Sequence, residues 1–260
     1  MDLQLENKKA LVTASSGGIG FAIASTLAAE GAEVIVNGRS EASVEEAREK
    51  MTGKTLPLVA DLGSSEGVEK ALAAYPEVDI LINNLGIYWD SPFHELTDED
   101  WQKMFEVNVM SGVRLTRHYL PKMLEADWGR VIFISSESGI MIPKEMIHYG
   151  FSKSAQLAIS SGLAQLTKGT GVTVNSVLPG PTQTETVIDF MSGLIPDAKS
   201  KKPEQVGREF IKEHRPSSLL GRLIKPEEVA SMVCYVASPL SAATNGTALR
   251  VEGGLVQSII

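Results

Sequence analysis

The sequence predicts an α/β fold: a doubly wound, parallel, seven-stranded sheet with helices on both faces. Two observations carry this. Seven short β-branched runs alternate with six segments of helical period along the 260 residues, the order that strand–helix–strand units produce. The runs are apolar at consecutive positions rather than at every second one, as strands covered by helices on both sides must be. Right-handed crossovers leave few topologies for this order, the dinucleotide-binding one foremost.

The first run is Ala10–Thr13. In Ile19–Glu30 the residues Ile19, Ile23 and Leu27 form one helical stripe, and Gly31 is a stop signal. Val34–Val36 is the second strand. Ser43 with Glu46 fits a capping box for the next helix, which Gly53 ends. Leu56–Val59 and Val78–Ile82 are the third and fourth strands, and Thr97-Asp98-Glu99-Asp100 opens a helix with acids in its first turn. Val131–Ile134, Val172–Val177 and Thr247–Val251 complete the sheet, with a late helix starting at Pro226-Glu227-Glu228. No internal repeat or flexible linker divides the chain, so residues 1–260 read as a single Rossmann-type domain. Residues 181–225 hold no strand-like run, only short helices at Asp189–Ile195 and Glu204–Glu213. An insertion after a strand's carboxyl end predicts a flap covering the substrate.

Composition narrows the function. Hydrophobic residues at 43% and charged ones at 22% exclude a disordered chain. The net charge is −8 without a long basic stripe, which argues against nucleic acid or an anionic membrane as partner. Apolar runs such as Val131–Ile134 fall far short of the ~20 residues of a membrane helix. Met1-Asp2-Leu3-Gln4 lacks the basic and apolar regions of a signal peptide, so the cytoplasm is the expected compartment. The single Cys234 excludes an internal disulfide and a multi-cysteine zinc site, and no His-Glu-x-x-His spacing occurs, so no metal is expected.

Thr13-Ala14-Ser15-Ser16-Gly17-Gly18-Ile19-Gly20 joins the first strand to its helix. Small residues there let backbone N–H groups approach a pyrophosphate, whose charge the helix N-terminus favours. A tight turn with close packing would also use them. Asp61 and Asn83-Asn84-Leu85-Gly86 stand at the carboxyl ends of later strands, the ligand edge of an open α/β sheet, though such residues also cap helices and close turns.

Tyr149-Gly150-Phe151-Ser152-Lys153 carries the chemistry, because residues four apart share a helix face. A phenol of pKa about 10 is a poor base at neutral pH, and bringing it near 7 takes about 4 kcal/mol. A neighbouring Lys⁺, helped by the positive nicotinamide of an oxidised cofactor, can supply much of that. Ser136, at the end of the fifth strand, is positioned to donate to a carbonyl oxygen, or else to cap a turn. Asn108, mid-helix between Val107 and Val109, satisfies a neighbouring carbonyl or holds a water beside Lys153.

These motifs, taken in order along essentially the whole chain, resemble the short-chain dehydrogenase/reductase family. The resemblance implies an NAD(P)-dependent oxidoreductase acting on a carbonyl or secondary alcohol of a small molecule. It implies a tetrad of Asn108, Ser136, Tyr149 and Lys153: Tyr149 as acid/base, Lys153 binding the nicotinamide ribose and lowering the tyrosine pKa, Ser136 orienting the substrate oxygen, and Asn108 completing a proton relay through water. Cofactor contacts are implied at Ser15, Ser16, Gly17, Ile19, Arg39, Asp61, Leu62, Asn84, Gly86, Tyr149, Lys153, Pro179, Gly180, Thr182 and Thr184. The chain departs from the family pattern at Ala14, usually glycine, and at Leu85, usually alanine. Alanine is a small intrusion if its φ is negative; Leu85 is expected to crowd the adenosine side.

A non-catalytic dinucleotide sensor and a cofactor-retaining dehydratase or epimerase are the competing readings, and the intact tetrad argues against the first. NADP(H) is favoured over NAD(H), because Val36-Asn37-Gly38-Arg39-Ser40 has no acid at the strand end. Arg39 can meet a 2′-phosphate, with Ser40 as a further donor, unless it pairs with Glu41. His148 and Cys234 read as core, and Glu137 and Glu185 either read substrate polarity or form a solvated rim. Phe190, Met191, Leu194 and Ile195 form an apolar lid or pack the flap. By resemblance the chain is a homotetramer or homodimer, and the apolar tail Leu255–Ile260 suits an interface.

Overall fold

Seven parallel strands form one sheet in the order β3-β2-β1-β4-β5-β6-β7 in the computed structural model, which describes residues 2–195 and 197–259. Met1, Pro196 of the flap and Ile260 of the tail lie outside the described residues. The strands are β1 (Lys9–Val12), β2 (Glu33–Gly38), β3 (Thr55–Val59), β4 (Ile80–Asn83), β5 (Gly129–Ile134), β6 (Val172–Pro179) and β7 (Ala248–Val251). Each matches a predicted run to within a few residues. Pro57 lies inside β3, where a missing N–H is tolerated because that strand forms the sheet edge.

Side chains alternate between two cores. Val12, Val36, Ile82 and Ile134 face the layer of α1 (Gly18–Ala29), α2 (Glu41–Glu49) and α9 (Pro226–Ala237). Leu11, Ile35, Leu81 and Phe133 face the layer of α3 (Ser65–Ala74), α5 (Ser111–Glu125) and α6 (Ile147–Ala164). Both layers are apolar, so the strands carry no polar face and read as continuous runs.

Local signals were mostly placed correctly, with instructive shifts. Thr97 and Asp100 form a capping box at α4 (Asp98–Phe105), and Pro226 takes the first position of α9. The cap of α2 is Ser40, one turn before the predicted Ser43; Ser40 Oγ accepts from the Ser43 N–H, while Ser43 Oγ donates to the Ser40 carbonyl. That helix ends at Glu49, and Gly53 instead serves the turn into β3 with φ +105°. Flap helices α7 (Glu185–Ser192) and α8 (Pro203–His214) begin ahead of the predicted segments, because Thr184 and a first-turn proline start them. In the tail, Leu255 and Val256 are buried within the chain, so only its last residues face outward.

Candidate active site

The strand order reverses between β1 and β4, and a cleft of about 860 Å³ opens at the carboxyl ends of β1, β4, β5 and β6. Thr13 joins the two halves. Its Oγ1 accepts from the N–H groups of Asn84 and Leu85, while Asn84 Nδ2 donates to the Thr13 carbonyl at 2.9 Å. A Cβ on Gly20 would stand 2.4 Å from the Ala14 carbonyl oxygen, so only glycine lets α1 pack this closely.

The start of α1 leaves backbone donors facing the cleft. Ser40, Ser64, Thr97 and Thr184 cap α2, α3, α4 and α7 with their side chains, whereas Gly17 gives α1 no side-chain cap. First-turn amides are therefore left over where Ser16, Gly17 and Ile19 border the cleft. A Cβ on Gly17 would meet nothing within 4 Å, so the backbone is open to an incoming group.

Ala14 has φ +51°, left-handed geometry that glycine adopts without strain. The negative φ envisaged from the sequence is not found. The Ala14 N–H bonds Asn37 Oδ1 at 2.9 Å, and Asn37 Nδ2 reaches the Leu58 and Ala60 carbonyls, which holds the turn in place. Replacing Ala14 by Gly should therefore stabilise the protein by up to about 1 kcal/mol, raising Tm by about 2–4 °C. A calorimetric Tm equal to or below wild type would show that the turn is unstrained.

Twelve of the predicted positions border the cleft: Ser16, Gly17, Ile19, Asn84, Gly86, Ser136, Tyr149, Lys153, Pro179, Gly180, Thr182 and Thr184. Others do not. Ser15 is buried and committed to the turn, donating to the Val12 carbonyl and accepting from the Asn37 N–H. Asp61 accepts from the Gly63 N–H in the turn before α3, and Leu62 is buried in the second core. Leu85 packs on that core as well and is not among the residues lining the cleft. Arg39 is exposed beyond β2 and makes no ion pair among the described residues, with Glu41 or any other acid. The Ser40 hydroxyl is spent on capping α2 and on Ser43 Oγ.

β5 ends at Ile134, and Ser135 N–H continues the ladder to the Val177 carbonyl, which carries Ser136 to the cleft wall. Ser135 Oγ donates to the Lys153 carbonyl and binds α6 to the strand end. On α6 Tyr149 is half-buried and lines the cleft. Burial pushes the phenol up, the Glu137 carboxylate adds to this, a hydrogen bond with Ser136 opposes it, and Tyr88 raises it a little further. Burial brings Lys153 down to about 7, against the pull of Glu137. The Lys153 ammonium, 5.6 Å from the centre of the Tyr149 ring, donates to the Ile134 carbonyl at 2.9 Å and to Gln156 Oε1 at 3.2 Å.

Asn108 sits in a π-helical turn, Glu106–Met110, between α4 and α5. Its side chain pairs with both backbone groups of Ile87 and donates to Ser152 Oγ, so it clasps the β4 loop to α6. The Asn108 main-chain carbonyl accepts from Gln156 Nε2 at 2.6 Å. Gln156 therefore links Asn108 to Lys153. The sequence reading missed Gln156, although its place three residues after Lys153 puts it on the same helix face.

Glu137 and Arg215 also border the cleft. Glu137 is 4% exposed and no solvated rim, whereas Glu185 is exposed. Met191 and Ile195 pack a small flap core with Phe210 and Leu223, Leu194 is exposed, and Phe190 contacts Tyr88 edge-on beside Tyr149. His148 is buried against Trp89, and its pKa is lowered by that burial; Cys234 is core, its thiol pushed up to about 12.

A doubly wound sheet, an uncapped glycine-rich helix start and a Ser–Tyr–Lys group in one cleft define a nicotinamide-dependent oxidoreductase of carbonyl and alcohol groups. The short chain dehydrogenase family matches residues 8–193, and the chain belongs to it. It is 50% identical to the uncharacterized oxidoreductase YvaG of Bacillus subtilis (strain 168) over all of both chains. It is 37% identical to the 3-oxoacyl-[acyl-carrier-protein] reductase FabG of Escherichia coli (strain K12), covering 97% of this chain and 99% of that one. L-sorbose reductase from Gluconobacter frateurii, solved with NADPH and L-sorbose, superposes over 100% of both chains with a TM-score of 0.90 at 28% identity.

Proposed function

We propose that the chain reduces a small polar ketone with NADPH, with Tyr149 as the proton donor. The observation that carries this is that Ser136, Tyr149 and Lys153 line one cleft with the glycine-rich start of α1; burial, which pushes the phenol up, favours the protonated form that reduction requires. When bound, the nicotinamide supplies the hydride. Ser136 orients the carbonyl oxygen, and Tyr149 places a proton on it. Lys153 and Gln156 hold the helix face beside the ribose, and Asn108 anchors that face to the β4 loop. Amides at Ser16, Gly17 and Ile19 suit the pyrophosphate, Asn84 and Gly86 the adenosine ribose side, and Pro179, Gly180, Thr182 and Thr184 the nicotinamide side. Asp61 and Leu62 lie beyond the cleft wall and are left with the adenine rim. The flap at residues 181–225 covers the substrate. L-sorbose in the structural relative supports a polar ketone, whereas FabG acts on 3-oxoacyl groups. The test is NADPH consumption across a panel of ketones; silence on every carbonyl would overturn the reading.

Arg39 selects the cofactor, since its guanidinium is unpaired among the described residues and free to meet a 2′-phosphate. Wild type should prefer NADPH to NADH by about 10–150-fold in kcat/KM, and Arg39→Ala should remove most of that preference. A ratio unmoved by the substitution would show that Arg39 does not read the phosphate.

We also infer a homo-oligomer, either a tetramer or a dimer. Phe105 on α4 is 40% exposed and Phe151 on α6 is 44% exposed, an apolar patch at neighbouring helices. The cytoplasm is our proposed compartment, as Cys234 is a buried free thiol.

A further inference from the structure

We propose that Glu137 and Arg215 read a hydroxyl group on the carbon next to the reacting carbonyl, which makes α-hydroxy ketones of the sugar type the substrates of this chain. The inference rests on Ser136 and Tyr149 being the carbonyl site and deepens that reading. Glu137 follows Ser136 in a 3-10 turn, and its Oε2 accepts from Ser136 Oγ at 2.5 Å. A buried carboxyl group is costly to charge, and burial raises the pKa of Glu137; its hydrogen-bond donors are two neighbouring hydroxyls, Ser136 Oγ on Oε2 and Ser138 Oγ on Oε1 at 3.2 Å. Arg215, from the end of α8 in the flap, brings its Nε only to 3.9 Å from Glu137 Oε1. The structural pair Arg222–Glu228, by contrast, closes two hydrogen bonds at 2.8 and 2.9 Å. Arg215 also stands 3.5 Å from Glu145 Oε1 and donates one N–H to the His214 carbonyl, so its contact with Glu137 is a loose one and its remaining N–H groups are available in the cleft that both residues border.

Geometry selects what they bind. A carbonyl oxygen that accepts from Ser136 lies about 2.7 Å from its Oγ, and a hydroxyl on the adjacent carbon lies a similar distance further along. Glu137 Oε2 is already against Ser136 Oγ, so this hydroxyl falls within its reach. The serine has one proton, and in the free chain it points at Glu137 while Ser136 Oγ accepts from the Ser138 N–H. A substrate hydroxyl that donates to Glu137 takes over that place, and the serine proton turns to the carbonyl. The hydroxyl oxygen in turn accepts from Arg215. A ketone without the hydroxyl leaves Ser136 engaged with Glu137, so selectivity is expressed in kcat as well as KM.

Hydroxyacetone and butanone differ by one OH-for-CH₃ exchange and serve as the probe pair. Wild type should favour hydroxyacetone by about tenfold or more in kcat/KM, partly through kcat. Glu137→Gln, checked for folding by NADPH binding, should bring the ratio close to one, and Arg215→Gln should lower it. The wild-type ratio needs no variant: butanone reduced as well as hydroxyacetone overturns the proposal. Equal losses on both ketones in Glu137→Gln overturn it too, because Glu137 would then only hold Ser136. Silence on both ketones with turnover of a 3-oxoacyl ester overturns this proposal alone. Silence on every carbonyl overturns the oxidoreductase reading and this one with it.

Discussion

Tyr149→Phe is expected to lower kcat by at least ~10²-fold while NADPH affinity stays within a few-fold of wild type. The substitution keeps the ring that meets Tyr88 and removes only the hydroxyl beside Ser136. Because burial and Glu137 already favour the neutral phenol, the lost group is a proton donor in its resting form. The sign follows for pH. A tyrosine raised above its ordinary value remains protonated through neutral and mildly alkaline conditions, so the reduction rate should show no loss from Tyr149 across that range. Steady-state kinetics with both proteins, and NADPH fluorescence titration for binding, check the two halves. Turnover near wild type in the variant would remove Tyr149 from the chemistry.

Lys153→Met should be the second most damaging change, by about 10²-fold in kcat/KM, and it should weaken NADPH binding as well. It removes the donor to the Ile134 carbonyl and the link through Gln156 to Asn108. It also has a signature in stability. Burial lowers the folded-state pKa of Lys153 to about 7 from an ordinary 10.5. Below pH 7 both folded and unfolded chains hold the proton, and the cost of enclosing the ammonium is at its full value. As pH rises toward 10.5 the folded chain has released the proton and the unfolded chain still binds it, so this cost fades and stability rises. Cofactor-free wild type should therefore gain Tm relative to Lys153→Met between about pH 7 and 10. Parallel Tm–pH curves for the two proteins would mean that the ammonium is not penalised by its surroundings.

The sequence by itself determined the sheet and most of its connections. Strands such as β4 and β5 are buried on both faces, so their apolar runs are visible without any knowledge of partners. Caps that act over three residues, such as Thr97–Asp100, were legible for the same reason: the interaction is local. Tyr149 and Lys153 were legible because helix geometry alone puts them on one face. Only the tertiary structure decided the rest. Whether Ser40 or Ser43 caps α2 depended on where β2 ends, and the φ of Ala14 depended on Asn37 pulling the turn toward β2 and β3. Leu85 packs against the second core, a contact set by the folded layers and not by its neighbours in sequence. Sequence spacing shows a lysine beside a phenol, whereas the burial that raises the Tyr149 phenol and lowers Lys153 is a property of the folded cleft. Glu137 meets Arg215 across 78 positions of sequence through the folding of α8 back over the cleft, a contact that no local pattern encodes.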